Sequence, residues 1–187
     1  MKIAILSDTH NETQNLRKAV NAIQAAKISI VFHCGDLTSL SMANELDGLE
    51  VNFTFGNGDF DARGIENAIL ATHSNSSCGY RFTGEISGIP IAATHGHMPD
   101  ILDDLATSGK FRYVFVGHTH RRKDELIGST RVINPGSLGG TFREEHSFAI
   151  LDLDDGDLEI IRYPENCKES VHVRSEEHTS ELQSLAY

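Results

Sequence analysis

A mixed α/β (α+β) fold with two stacked sheets flanked by helices is predicted by three features of this 187-residue chain. Short apolar runs alternate with helix-spaced segments through its first third. Each of those runs stops at a polar, glycine-containing loop. Beyond Gly79 the texture changes to strand pairs joined by tight turns.

The first run, residues 3–6, reads as a buried strand entering Ser7-Asp8-Thr9-His10. Side chains two apart in an extended segment share a face, so Asp8 and His10 are expected to converge on one object. A carboxylate and an imidazole aimed together suit a divalent metal, although Asp-x-His alone is more often a polar strand end. Residues 13–27 carry Leu16, Val20, Ile23 and Ala26 at helical spacing. Residues 28–32 form a second buried strand ending at His33-Cys34-Gly35-Asp36. A shorter helix follows with Leu40, Ala43 and Leu46 on one face, then a third strand over 51–55 that ends at Gly56-Asn57-Gly58-Asp59. Functional loops are therefore expected at the carboxyl ends of the strands.

Residues 80–86 and 89–94 read as a hairpin through Gly88, its second strand ending at His95-Gly96-His97. Pro99 suits the first turn of a helix containing Ile101, Leu102, Leu105 and Ala106, which Gly109 can close. Residues 113–116 are another buried strand, ending at Gly117-His118-Thr119-His120. Residues 131–133 lead into Asn134-Pro135-Gly136-Ser137, read as a plain turn or a lining of the site. Strands over 147–153 and 158–163 flank Asp154-Asp155-Gly156-Asp157, a hairpin signal. Helices are thus expected at three places.

One domain is expected over 1–165, followed by a tail over 166–187. Residues 174–184 match the in-frame translation of a common sequencing-adaptor oligonucleotide and are set aside as an artefact. A content of 39% hydrophobic and 23% charged residues is that of a soluble globular protein. No apolar run approaches the roughly 20 residues of a membrane span, and no signal peptide is read at the start. Three cysteines without Cys-x-x-Cys spacing point to a reducing cytoplasm, with Cys34 read as a small buried side chain. A net charge of −11 argues against long nucleic acids, and Arg121-Arg122-Lys123, the one basic triplet, reads as a solvated turn. A homo-oligomer is compatible with all of this.

Five strand ends carry Asp8/His10, Asp36, Asn57, His95 and His118/His120, and four of the ten histidines fall among them. Imidazoles, carboxylates and an amide oxygen without a thiolate favour Mn²⁺, Fe, Ni²⁺, Co²⁺ or Zn²⁺. Seven such side chains exceed the four that a structural Zn²⁺ wants and suit two ions sharing a ligand.

This set, in this order, resembles the calcineurin-like metallophosphoesterase superfamily, and its short form is similar to the small YfcE-like phosphodiesterase branch. The resemblance covers roughly residues 1–165 and implies a four-layer αββα sandwich with a dinuclear site between two mixed sheets. It implies Asp8, His10, Asp36 and His120 on one metal and Asp36, Asn57, His95 and His118 on the other, with Asp36 bridging and Mn²⁺ the first candidate. The implied reaction is hydrolysis of small phosphodiesters by in-line attack of a metal-bridging hydroxide. Two dications, two carboxylates and a hydroxide leave a centre of about +1, so an acidic domain need not repel a small phosphate ester.

One position departs from the pattern. Many relatives carry Gly-Asn-His-Asp/Glu, whose histidine contacts phosphate and can protonate the leaving group; here that position is Gly58. A lost general acid costs about 10²–10⁴-fold, most for poor leaving groups. His97 is the candidate substitute, or else a residue orienting a ligand. Asp59 is expected to orient Asn57 or its loop, or to be a turn residue. His33 and Thr119 are read as supports of neighbouring ligands, and His73, His146, His172 and His178 as surface or satisfied histidines. The alternatives are a phosphomonoesterase or nucleotidase, and a protein-binding scaffold of the same fold, such as the retromer subunit.

Overall fold

The computed structural model describes residues 1–140 and 145–163. Along the chain, β1 (Lys2–Leu6), α1 (Thr13–Ala25), β2 (Ile30–His33), α2 (Leu40–Asn44), β3 (Glu50–Thr54), α3 (Ala62–Thr72) and β4 (Ser77–Gly79) alternate. A hairpin of β5 (Arg81–Ile86) and β6 (Ile89–Thr94) precedes α4 (Pro99–Thr107) and β7 (Tyr113–Phe115). Two further hairpins follow, β8 (Lys123–Ile127) with β9 (Thr130–Asn134), and β10 (His146–Asp152) with β11 (Leu158–Tyr163). The whole of the expected tail over 166–187, including 174–184, Cys167, His172 and His178, lies outside the described residues.

Two mixed sheets result. The first has the order β11-β10-β1-β2-β3-β4, the second β5-β6-β7-β9-β8. β1 to β4 run parallel, with Ile5 beside Phe32 and Phe32 beside Asn52. In the second sheet β6, β7 and β9 are parallel. Both sheets therefore present loops at the carboxyl ends of parallel strands, where the polar motifs lie.

Three apolar interfaces make the four αββα layers. Ala4 and Leu6 of β1 face one way, onto Leu16, Ala19, Val20 and Ile23 of α1, with Met42 of α2 and Ile65 and Ile69 of α3 in the same core. Ile3 and Ile5 face the other way, into the layer between the sheets, against Ile91, Ala93, Phe115 and Ile133. Phe32 meets Phe115 edge-on at 5.0 Å between ring centroids, across that layer. Ala92, Val114, Val116 and Val132 turn outward onto Leu105 and Ala106 of α4. A strand buried on both faces needs apolar residues at every position, which is why these strands read as continuous runs instead of alternating ones.

Three elements depart from the sequence reading. α3 was not expected, which corrects the count of three helical places to four among the described residues. Its signal is present in Asp61, whose carboxylate accepts the Gly64 N–H at 3.1 Å, and in the Ile65/Ile69 pair four apart; Gly64 within the first turn masks it. β4 and β8 were also unforeseen. β8 is an edge strand with an exposed, charged face, so Lys123 sits in a strand and not in a solvated turn. Asp61→Ala should remove the α3 cap and lower stability by about 1 kcal/mol, read as a shifted urea midpoint at unchanged m-value; an unmoved midpoint would show that the cap contributes nothing.

Candidate metal centre

The site is built where the carboxyl ends of both sheets meet. Asp8 and His10 follow β1, Asp36 follows β2, Asn57 follows β3, His95 and His97 follow β6, and His118 and His120 follow β7. Asp8 N–H donates to Gly35 carbonyl at 2.9 Å and His10 N–H to Asp36 carbonyl at 3.0 Å, stitching the first two loops together.

The convergence of Asp8 and His10 has a different cause from the extended geometry expected. Both are left-handed, at φ 52° and 45°, as are Asp36 at 55°, His118 at 66° and His120 at 57°. Non-glycine residues rarely adopt this region, and each costs of order 1–3 kcal/mol unless its surroundings hold it there. A turn in the backbone, not strand periodicity, aims these side chains inward.

Asp8 is fully buried. Its Oδ2 accepts the Ser7 hydroxyl at 2.5 Å and the His118 backbone N–H at 3.0 Å. Its Oδ1 is buried and receives no hydrogen bond; it faces His120 Nε2 at 3.2 Å and His10 Nε2 at 3.8 Å. The two imidazole Nε2 atoms lie 3.1 Å apart. Asp36 Oδ2 stands 3.7 Å from His10 Nε2 and 3.6 Å from His95 Nε2, while its Oδ1 accepts the Gly58 N–H at 2.6 Å. His95, also fully buried, bonds Cys34 carbonyl through Nδ1 at 2.6 Å, which turns Nε2 toward Asp36 and toward Asn57 Oδ1 at 3.2 Å. A ring nitrogen anchored on a carbonyl with its partner aimed at carboxylates is the usual posture of a metal-ligating histidine.

Two donor groups can thus hold a cation, Asp8 with His10 and His120, and Asp8 with Asp36 and His95, their ligand atoms within 4.8 Å of one another. The bare Oδ1 of Asp8 is the observation that such ions fit, because a buried unsatisfied carboxylate oxygen is costly without a cation. Asn57 Oδ1 lies against the same His95 Nε2, at 3.2 Å. The exposed His118 ring lies 5.0 Å from that of His95, centroid to centroid. His97, half-buried, lies 5.3 Å from His95 and 6.4 Å from His118.

Asp59 acts on backbone. It is 7% exposed, and its carboxylate accepts the backbone N–H groups of Asp36, Gly56 and Thr38 at 2.9, 2.8 and 2.8 Å. It locks the β2 loop onto the β3 loop. The Gly56 contact is the loop-orienting role expected for Asp59; its hold on Asp36 and Thr38 N–H of the β2 loop was not expected. Asn134 acts likewise on the β7 loop, donating to Gly117 carbonyl at 2.8 Å and Thr119 Oγ1 at 3.1 Å. His33 Nε2 meets Thr9 Oγ1 at 2.9 Å, between the two β1 ligands. His73 receives the Asn75 N–H at 3.2 Å at the surface, and His146 opens β10.

Charge follows geometry. Burial pushes the Asp8 carboxyl up, but His10 and His120 beside it, with His95 and the Ser7 hydroxyl, outweigh burial and hold it well below the carboxylate range. Asp8 raises His10 above its ordinary 6.5 against the opposing effect of burial. Burial brings His33 down to about 3, so it stays neutral. Burial raises Asp59 despite its three N–H donors. A proton and a cation compete for His10, and its raised pKa makes the competition begin above pH 6.5. Calorimetric titration with Mn²⁺ should therefore show affinity falling on acidification from pH 8 to 6, with proton release on binding; constant affinity over that range would overturn this.

Among the described residues no helix is long and apolar enough to cross a membrane. The model of the calcineurin-like phosphoesterase superfamily domain matches residues 1–156. Phosphodiesterase MJ0936 of Methanocaldococcus jannaschii is 33% identical over 156 residues, spanning 82% of this chain and 94% of that protein. A solved archaeal phosphodiesterase superposes with a TM-score of 0.82 at 31% identity, covering 87% of this chain and 100% of that one. The phosphoesterase YfcE of E. coli, at 18% identity and a TM-score of 0.62 over 87% of this chain and 99% of its own, shares the fold. The order of acidic and imidazole groups along the strand ends, read with a family match across nearly all of the described fold, makes this chain a member of the calcineurin-like phosphoesterase superfamily, a hydrolase family that works through divalent metal ions.

Proposed function

We propose that the protein is a cytoplasmic, dinuclear-metal phosphodiesterase acting on small phosphodiesters. The observation that carries this is Asp36 Oδ2, flanked at 3.7 and 3.6 Å by His10 Nε2 and His95 Nε2, one imidazole from each donor group. In this reading Asp8, His10, Asp36 and His120 hold one ion and Asp36, Asn57, His95 and His118 the other. Two divalent ions, manganese first among Mn²⁺, Ni²⁺, Fe, Co²⁺ and Zn²⁺, would bring a water's pKa toward neutrality and offset the charge on the phosphoryl oxygens. The protein's part is to hold the ligands rigid. Cys34 carbonyl fixes the His95 tautomer, the His118 N–H and Ser7 fix Asp8, and Asp59 fixes the loops of Asp36 and Asn57.

The diester preference is supported by the phosphodiesterase name of the relative at 33% identity and by Gly58. A side chain at 58 would press its Cβ to 3.0 Å from Asp36 Oδ1 and 3.3 Å from the Thr38 methyl. Relatives with histidine there have a proton donor that this chain lacks. Burial, with His95 and His118 nearby, lowers the His97 pKa, which works against proton donation at neutral pH. Positioning the bound phosphate is the role this favours for His97, and activity then depends on leaving groups that need no acid.

Chelation should abolish hydrolysis of bis(p-nitrophenyl) phosphate and added Mn²⁺ restore it. Asp36→Asn should cost more than the roughly 10–100-fold typical of residues that merely support a ligand, with both ions weakened. Failure of every metal to give a rate would favour a scaffold of this fold, and faster turnover of monoesters a phosphomonoesterase. Across aryl diesters graded by leaving-group pKa, wild type should show a steep rate dependence. His97→Ala should lower the rates about 10-fold or more without changing that slope; a shallow wild-type slope that steepens on substitution would make His97 the acid instead.

A further inference from the structure

Phe60 lies two residues beyond Gly58, on the turn that follows β3, with its side chain in water. It is 92% exposed, although both sequence neighbours are pinned. Asp59 before it holds three backbone N–H groups, and Asp61 after it caps α3 through Gly64 N–H. Phe60 N–H itself donates to Gly58 carbonyl at 3.1 Å. The turn is therefore rigid, and it carries its large aromatic ring out of the core rather than into it. Such a ring forgoes the stabilisation of burial in the free protein, a loss that contact with a ligand would recover.

The turn is also part of the site. Gly58 N–H lies 2.6 Å from Asp36 Oδ1, and Phe60 is two residues further, at most about 7 Å of chain. Asn57, on the same turn, is solvent-exposed and faces His95 Nε2 through its Oδ1. Gly58 leaves a turn without a side chain between the carboxylate and the ring. The span of about 7 Å bounds the backbone separation of Phe60 from Gly58, and it is of the order of the reach of a base from its own phosphorus in a nucleotide.

We propose that Phe60 is a specificity-determining residue that stacks on a flat aromatic group of the diester, a nucleobase in the simplest case, so that nucleoside-containing phosphodiesters are the preferred substrates. This rests on the phosphodiesterase reading above. Base-on-aromatic stacking tolerates any base because each presents a π-face.

Two arms test it. The chain contains no tryptophan, so Phe60→Trp places the protein's sole indole on this turn. Titration of that variant with AMP in the presence of Mn²⁺ should change its emission saturably, while inorganic phosphate should not. In the kinetic arm, Phe60→Ala should lower kcat/KM for a nucleoside p-nitrophenyl phosphate diester roughly five- to hundredfold, mostly through KM. Methyl p-nitrophenyl phosphate, with the same leaving group, should be turned over less efficiently than the nucleoside diester by wild type and unchanged by the substitution. A parallel loss on bis(p-nitrophenyl) phosphate would assign the stack to any aryl group, and a loss on the nucleoside diester alone to the base. Equal losses on all three, no loss at all, or an emission indifferent to AMP would overturn the proposal. If wild type with Mn²⁺ hydrolyses no diester, the diesterase reading falls instead, and the emission arm still decides whether Phe60 contacts a base.

Discussion

One carboxylate ties the two sheets together at their functional end. Asp8 leaves β1 of the first sheet, and its Oδ2 takes a backbone N–H from His118 at the end of β7 in the second. The approach is close enough that Gly117 can carry no side chain: a Cβ there would overlap the Ser7 hydroxyl and lie 2.7 Å from Asp8 Oδ2 and 2.9 Å from Cys34 carbonyl. With Oδ2 committed, Oδ1 cannot turn to water. It is held bare among imidazoles, where leaving a buried acceptor unsatisfied costs about 1–3 kcal/mol, and more when it is charged. A cation removes that cost, so the sheet-to-sheet contact and the affinity for metal are one feature of the packing.

The same economy of position governs the backbone. Five of the seven proposed ligands sit in the left-handed region. Nothing in their side chains favours it except Asp and His being among the residues that tolerate it best. The strain is sustained because the loops are tied from outside: Asp59 across the β2 and β3 loops, Asn134 under the β7 loop, and Asn15 donating to Leu138 carbonyl at 2.8 Å. Three apolar interfaces supply the stability against which that strain is held. Loops tied in this way on a doubly covered sheet pair would let the proposed ligands receive ions and an anionic ester with little reorganisation.

Charge adds a filter. The chain is acidic overall at −11, whereas the proposed pair of dications would make the centre locally positive. A compact phosphate ester meets chiefly the centre; an extended polyanion also meets the wider surface. In the proposed reading Gly58 and Phe60, two residues apart on one turn, would divide the remaining discrimination between leaving-group chemistry and the shape of the ester group.

Much of this was legible in the chain itself. Continuous apolar runs announced strands buried on both faces, and the polar punctuation after each run announced which ends of those strands would carry chemistry. The residue types, two carboxylates, an amide and four imidazoles without a thiolate, narrowed the chemistry to borderline or hard metals on their own. Tertiary structure decided the rest. α3 was hidden by Gly64, and β8 by an edge strand whose exposed Lys123, Asp124 and Glu125 show no apolar alternation. The reach of Asp59 to the β2 loop left no trace in sequence because its partners there are backbone N–H groups, which every residue but proline carries. Asp8 and His10 do point to one place, but through left-handed turns and not strand periodicity, since side-chain spacing reports which face a residue occupies only while the backbone stays extended. The sequence by itself determined which atoms could bind a metal; how close they come was decided by long-range packing around Gly117 and Asp59, where contacts between residues far apart in the chain set the backbone angles.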